Sequence, residues 1–85
     1  MQIYYSSKFK REYKKLTREV KLLAEEKEVI FRKDPFDKRL DAHKLHGRLK
    51  EFWSFSLDSR SRIIFEFAKK NIVWFHSVGD HSVYD

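Results

Sequence analysis

An imidazole, a phenol and a guanidinium mark the C-terminal half of this 85-residue chain. Arg62 sits within three aromatic-rich strand patterns that run on from Leu45, and His81 and Tyr84 lie on the tail that follows them. Such groups can accept a proton, donate one and hold an anion, which is the equipment for acid/base chemistry on a phosphodiester. The formal charge of +6, from 19 Lys and Arg against 13 Asp and Glu, and the pI near 9.7 suit a polyanionic partner, nucleic acid first. A solvated basic surface without a ligand has the same composition. The chain has no cysteine, which excludes disulfides, thiolate catalysis and Cys-based zinc sites and fits a reducing compartment. With no metal-ligand cluster in the pattern either, no metal and no cofactor are expected.

These groups need a scaffold, and the chain length allows one domain, residues 1–85, with a single modest core. No apolar run approaches the roughly 20 residues of a membrane span, and MQIYYSSKFK lacks the order of a signal peptide. A soluble, cytoplasmic protein with no membrane partner is the expectation. Met1 to Tyr5 alternates as a short strand, and Ser7 is the expected N-cap of a helix in which Phe9, Tyr13 and Leu16 face inward beneath a cationic outer face. Thr17 caps a second helix with Val20, Leu23, Ala24, Ile30 and Phe31 as its inward stripe, ended by Asp34 and Pro35. A polar connection holding His43 and His46 leads to Gly47.

Glu51 to Leu57 then alternates, with Trp53, Phe55 and Leu57 on one face and Phe52, Ser54 and Ser56 on the other. Arg60 to Phe67 sets Ile63, Phe65 and Phe67 against Arg60, Arg62, Ile64 and Glu66. In IVWFHSV, Ile72, Trp74, His76 and Val78 oppose Val73 and Phe75. The order is β-α-α-β-β-β, an α+β fold with a helix hairpin packed on a small, mainly antiparallel sheet. Its other face stays partly open, where an elongated substrate could lie.

The segment KLHGRLKEFWSFSLDSRSRIIFEF places Leu45, Gly47, Leu49, Phe52, Trp53, Ser54, Arg62, Ile63, Ile64 and Phe65 at the spacings of the YoeB, YafQ and RelE kinds of toxin. The tail VGDHSVYD adds a glycine followed by a histidine and a tyrosine. In these features the chain resembles the RelE/ParE superfamily, the toxins of type II toxin-antitoxin pairs. The resemblance implies a metal-independent mRNA endoribonuclease that enters the ribosomal A site and is silenced by a cognate antitoxin. By position it implies His43 as general base and Arg62 as the group that steadies the scissile phosphate. It implies His81 as the acid for the leaving 5′-oxygen, or as the base if His43 is structural, and Tyr84 as an aromatic that stacks on a base or aids proton transfer. Lys44, His46, Arg48, Lys50, Trp53 and Arg60 are the RNA-binding candidates.

Each assignment has a plain structural rival. His43 can be an idle loop histidine, Arg62 a strand arginine paired with Glu66, Trp53 a core residue, and His76 a strand histidine bonded internally. His81 to Tyr84 is one residue closer than in YafQ, and Trp53 and Phe55 stand where RelE has two lysines. Two other functions fit the same fold: a ParE-like gyrase poison, and a catalytically inactive module that still binds an antitoxin.

Overall fold

The computed structural model describes residues 1–80; the assignments made for His81 and Tyr84 lie outside the described residues. Strand β1 (Gln2–Tyr5) leads into helix α1 (Ser7–Lys14), and helix α2 (Arg18–Lys33) follows after a short turn. Then come a two-residue strand β2 (His43–Lys44) and the longer strands β3 (Trp53–Ser56), β4 (Arg62–Lys69) and β5 (Ile72–Gly79). They form one sheet in the order β1-β5-β4-β3-β2, antiparallel throughout except that β1 runs parallel to β5. This is the expected α+β arrangement, with β2 added at one edge. Among the described residues no helix is long and apolar enough to cross a membrane.

The helix caps follow from short polar side chains at the right places. Thr17 Oγ1 accepts from the Val20 N–H at 3.2 Å, as its type and position predict. The α1 cap is Ser6 and not Ser7. Ser6 Oγ accepts from Phe9 N–H at 3.0 Å and donates to the His76 carbonyl at 2.8 Å. A bond to β5 that adjacency in sequence does not reveal therefore decides between the two serines. Asp34 leaves the helical region at φ −157°, as expected of a residue before proline, and ends α2.

The core lies between the helix pair and one face of the sheet. Phe31 of α2 is fully buried, with its ring 5.2 Å from Phe55, 4.9 Å from Phe65 and 5.4 Å from Phe75. Phe9, Ala24, Leu40, Leu57, Ile63, Val73 and Val78 complete this cluster. On the opposite face Leu45 and Ile64 form a second, small cluster with Leu49 and Phe52. The chain between β2 and β3 thus folds back over part of the face expected to be open.

Val78 breaks the simple alternation read from the sequence. Ile64 pairs with Ser77 while Phe65 pairs with Phe75, so His76 is an extra residue on β5 and the strand bulges there. The bulge turns Val78 into the main core beside Val73 and Phe75, although strict alternation put it with Trp74 and His76. At this end of the sheet β1 has already finished, since its pairing reaches only to Phe75. Glu12 of α1 takes over, accepting from Ser77 Oγ at 2.7 Å and from Val78 N–H at 3.1 Å.

The Phe31 contacts make a stability prediction. Phe31→Ala should cost about 3–5 kcal/mol in denaturant unfolding, because the ring leaves a cavity among three other phenylalanines. The control Leu22→Ala, more than half exposed on α2, should stay within about 0.5 kcal/mol. Equal losses for the two variants would mean that the ring cluster is not what holds the helices down.

Candidate functional site

An open cleft of about 770 Å³ lies where β2, the turn after it and the start of β4 meet. His43, Lys44, His46, Arg48 and Arg62 line it, with Leu45 and Leu49 as its apolar part. Five of the residues singled out in the sequence are therefore brought together. His43 is not on a loop, as the polar connection implied, but on the two-residue strand, where it pairs with Ser54 of β3. Ser54 pairs in turn with Ile64, and Arg62 lies two residues before Ile64 on β4. At the usual strand spacing and rise, the Cα atoms of His43 and Arg62 are about 12 Å apart, within joint reach of one small anion.

The imidazole of His43 is held from both sides. Its Nδ1 is 3.2 Å from the Asp41 carbonyl, which can only accept, so Nδ1 carries the proton when the ring is neutral. Nε2 is then the basic nitrogen, and its neighbour is the hydroxyl of buried Ser54 at 3.4 Å. Asp41 reaches this position through a left-handed conformation, φ 51°, at the end of a short 3-10 turn over Lys38–Leu40. That turn is fixed by Asp37, which accepts from the Arg39 guanidinium and backbone N–H and has its carboxyl lowered to about 2 by those bonds.

Arg62 stands at the entry of β4, partly buried, between Ser56 of β3 and Gly79 of β5. The second 3-10 turn, Gly47–Leu49, carries Arg48 to the cleft rim. Gly47 starts it at φ +68°, a backbone conformation that a side chain would strain even though the space beside it is open.

The remaining candidates sit elsewhere. Trp53 packs against Phe36, Phe65 and Phe67 at 5.4 to 6.5 Å, on the same face of the sheet as the main core. Lys50 and Arg60 are exposed and do not line the cleft. His76 is bonded within the sheet, its Nε2 2.9 Å from Glu66 Oε1, so Glu66 has a partner two same-face positions along from Arg62. Three contributors had no functional reading from sequence: Ser54 beside the imidazole, and Leu45 and Leu49 in the cleft wall. The alternation of Ser54 with Phe55 was the available signal for the first. The two leucines were marked only by the spacing that carries the resemblance, because the turn that aims them into the cleft depends on the fold.

Over residues 1–84 the chain matches the family model described as bacterial toxin of type II toxin-antitoxin system, YafQ. No curated protein sequence matches it. Among solved structures it is similar to a YoeB/ParE toxin from Agrobacterium tumefaciens, with a TM-score of 0.82 and 12% identity over 95% of this chain and 99% of that one. It is also similar to YafQ from E. coli strain BL21(DE3), with a TM-score of 0.73 and 18% identity over 98% and 96%. A third is the E. coli DinJ-YafQ toxin-antitoxin complex, with a TM-score of 0.68 and 20% identity over 96% and 93%. At these identities the structural likeness is one of fold.

The turn that delivers Arg62 is measurable without any substrate. Asp58 Oδ1 accepts from Ser61 N–H at 2.6 Å and from Arg60 N–H at 2.9 Å, and these two bonds, Ser61's first, hold its carboxyl below the ordinary 3.8. A depressed carboxyl stabilises the fold fully above its unfolded value, and the contribution is lost as pH falls through the folded one. Carbon-detected NMR titration should therefore place the Asp58 midpoint below 3.8, and Asp58→Ala should cost about 1 kcal/mol at neutral pH. A midpoint at or above the ordinary value would show that the turn is not held this way.

Proposed function

Because the chain belongs to the YafQ family of bacterial toxins of type II toxin-antitoxin systems, we propose that it is a metal-independent endoribonuclease that cuts messenger RNA on the ribosome. The observation that supports this most is the cleft in which a histidine with a fixed basic nitrogen and a strand arginine stand among further cations. A protein that only bound a partner would have no need of that pairing.

In this reading His43 Nε2 removes the proton from a ribose 2′-hydroxyl, and the freed oxygen attacks the adjacent phosphorus. Arg62, always charged and able to bond two oxygens at once, holds the phosphorane that forms. The P–O5′ bond then breaks, and the departing oxygen takes a proton from an acid, leaving a 2′,3′-cyclic phosphate and a 5′-hydroxyl. His81 is assigned as that acid and Tyr84 as a stacking or proton-transfer group, both on the strength of the family resemblance. Lys44 and Arg48 contribute positive charge along the RNA backbone, and His46 a ring nitrogen that can bond it. Lys50, Arg60 and Trp53 stand outside the cleft, and direct contact with the reacting nucleotide is not assigned to them.

The partner proposed for restraint is a cognate antitoxin, as in the E. coli DinJ-YafQ complex. A groove of about 570 Å³ beside the two helices suits it, with Phe9, Tyr13, Ala24 and Val29 as apolar lining and Lys10, Lys14 and Arg32 against Glu25 and Glu28 as its charged lining. An amphipathic segment suits the apolar lining, and net acidic charge on it complements the chain's +6. Val29→Arg should weaken co-purification of the antitoxin at least tenfold without changing RNA cleavage. Undiminished capture would move the interface elsewhere.

Cleavage itself is tested in a cell-free translation reaction with message ends mapped by primer extension. Arg62→Ala should lower the rate by about 10²–10³ and His43→Ala by about 10²–10⁴, the sizes expected for one transition-state cation and one proton-transfer group. Cleavage at the parental rate in either variant removes that residue from the mechanism. Inhibition of gyrase supercoiling in a parallel assay, with intact messages, would replace the nuclease with a gyrase poison.

A further inference from the structure

The face of the sheet opposite the main core carries a file of aromatic rings that the cleft does not use. Tyr4 of β1 pairs directly with Trp74 of β5, and their rings are 5.2 Å apart and 29° from parallel. Trp74 continues to His76, at 6.3 Å and 21°, and His76 meets the edge of Phe52 at 4.9 Å. Phe52 belongs to the small cluster with Leu45 and Leu49, and those two leucines are part of the cleft wall. The rings therefore lead without interruption from the cleft to the β1 edge of the sheet.

Their exposure is greater than core packing requires. Tyr4 is 43% exposed, and Trp74 and His76 are each partly open to solvent. Glu66, opposite Trp74, bonds His76 at 2.9 Å and so fixes the imidazole plane in line with the indole. Cations stand at the cleft end of the file and along its flank. Arg62, Lys44 and Arg48 are at the cleft, and Lys69 and Lys70 are at the β4–β5 turn, next to Ile72. From Gly79, opposite Arg62, to Ile72, opposite Lys69, the strand runs about 23 Å.

Positive charge beside a row of near-parallel, partly exposed rings is the arrangement that binds single-stranded nucleic acid, with cations on the phosphates and rings against the bases. We propose that Tyr4, Trp74 and His76 form a nucleobase-stacking strip that holds the single-stranded RNA flanking the bond cut in the cleft. The inference rests on the nuclease reading for its choice of RNA. It goes beyond that reading by giving the protein a second contact with the strand, a few nucleotides from the reacting phosphate. Stacking is indifferent to base identity, so the strip adds affinity and register more than sequence preference.

The test uses a short RNA analogue with 2′-O-methyl groups throughout, which has no attacking hydroxyl. The chain has two tryptophans, so Trp53→Phe leaves Trp74 as the only indole, and its fluorescence should be quenched as the analogue binds. In the otherwise native chain, Tyr4→Ala and Trp74→Leu should each weaken binding of a labelled analogue about five- to a hundredfold by anisotropy. Trp74→Leu keeps an apolar side chain on the strand but has no stacking plane, and circular dichroism confirms that each variant is folded. Unquenched Trp74 fluorescence, or unchanged affinity in both folded variants, overturns the strip while leaving the nuclease reading intact. Loss of antitoxin binding with full RNA affinity would likewise overturn it and assign the face to a protein. Quenching by the analogue in a protein that leaves messages intact would sustain the strip and remove the nuclease.

Discussion

Four phenylalanine rings depend on a strand period of two. Phe31 drops from α2 into contact with Phe55, Phe65 and Phe75, which come from three adjacent strands and face the same way. Fixing those three side chains on the helix-covered face leaves Ser54, Ile64 and Trp74, their sequence neighbours, on the other. A slip of one residue in any of these strands would exchange the two sets. The same constraint therefore builds the core and decides which groups are available for chemistry.

The candidate site is assembled largely from the least regular part of the chain. Between α2 and β3 lie two 3-10 turns and a strand of only two residues, held by Asp37, by left-handed Asp41 and by Gly47. Apart from Leu40, the residues of these turns and of the short strand are exposed or only partly buried. What fixes them is hydrogen bonding, from the Arg39 fork on Asp37 to the pairing of His43 with Ser54, together with Leu40 and Leu45 as apolar anchors. Such a segment sets the direction of an imidazole while leaving the neighbouring cleft open.

Much of this was legible in the residues. Periodicity marked both helices and the three long strands, Thr17 and Pro35 marked the limits of α2, and the segment around Arg62 carried the family resemblance. The failures have particular causes. The His43–Lys44 strand is too short to show alternation, and only its pairing to β3 makes it a strand. The bulge at His76 adds one residue to β5, and a bulge cannot be read from alternating residues that do not themselves change type. Ser6 rather than Ser7 caps α1 because of a carbonyl seventy residues away. Trp53 sits apart from the cleft because its face was already claimed by Phe55 and Phe65, which the strand pattern did show.

Glu12 closes a gap that β1 leaves. Among the described residues the outer edge of β5 has no neighbouring strand beyond Phe75, and an uncovered edge of this kind can recruit strands from other molecules into continuous sheets. A carboxylate seated on the Val78 amide occupies that position with a group no incoming backbone can extend. With Ser6 on the His76 carbonyl, two side chains of the α1 region thus occupy backbone groups that an incoming strand would need. The edge is covered by polar side chains where a longer chain could have placed a further strand.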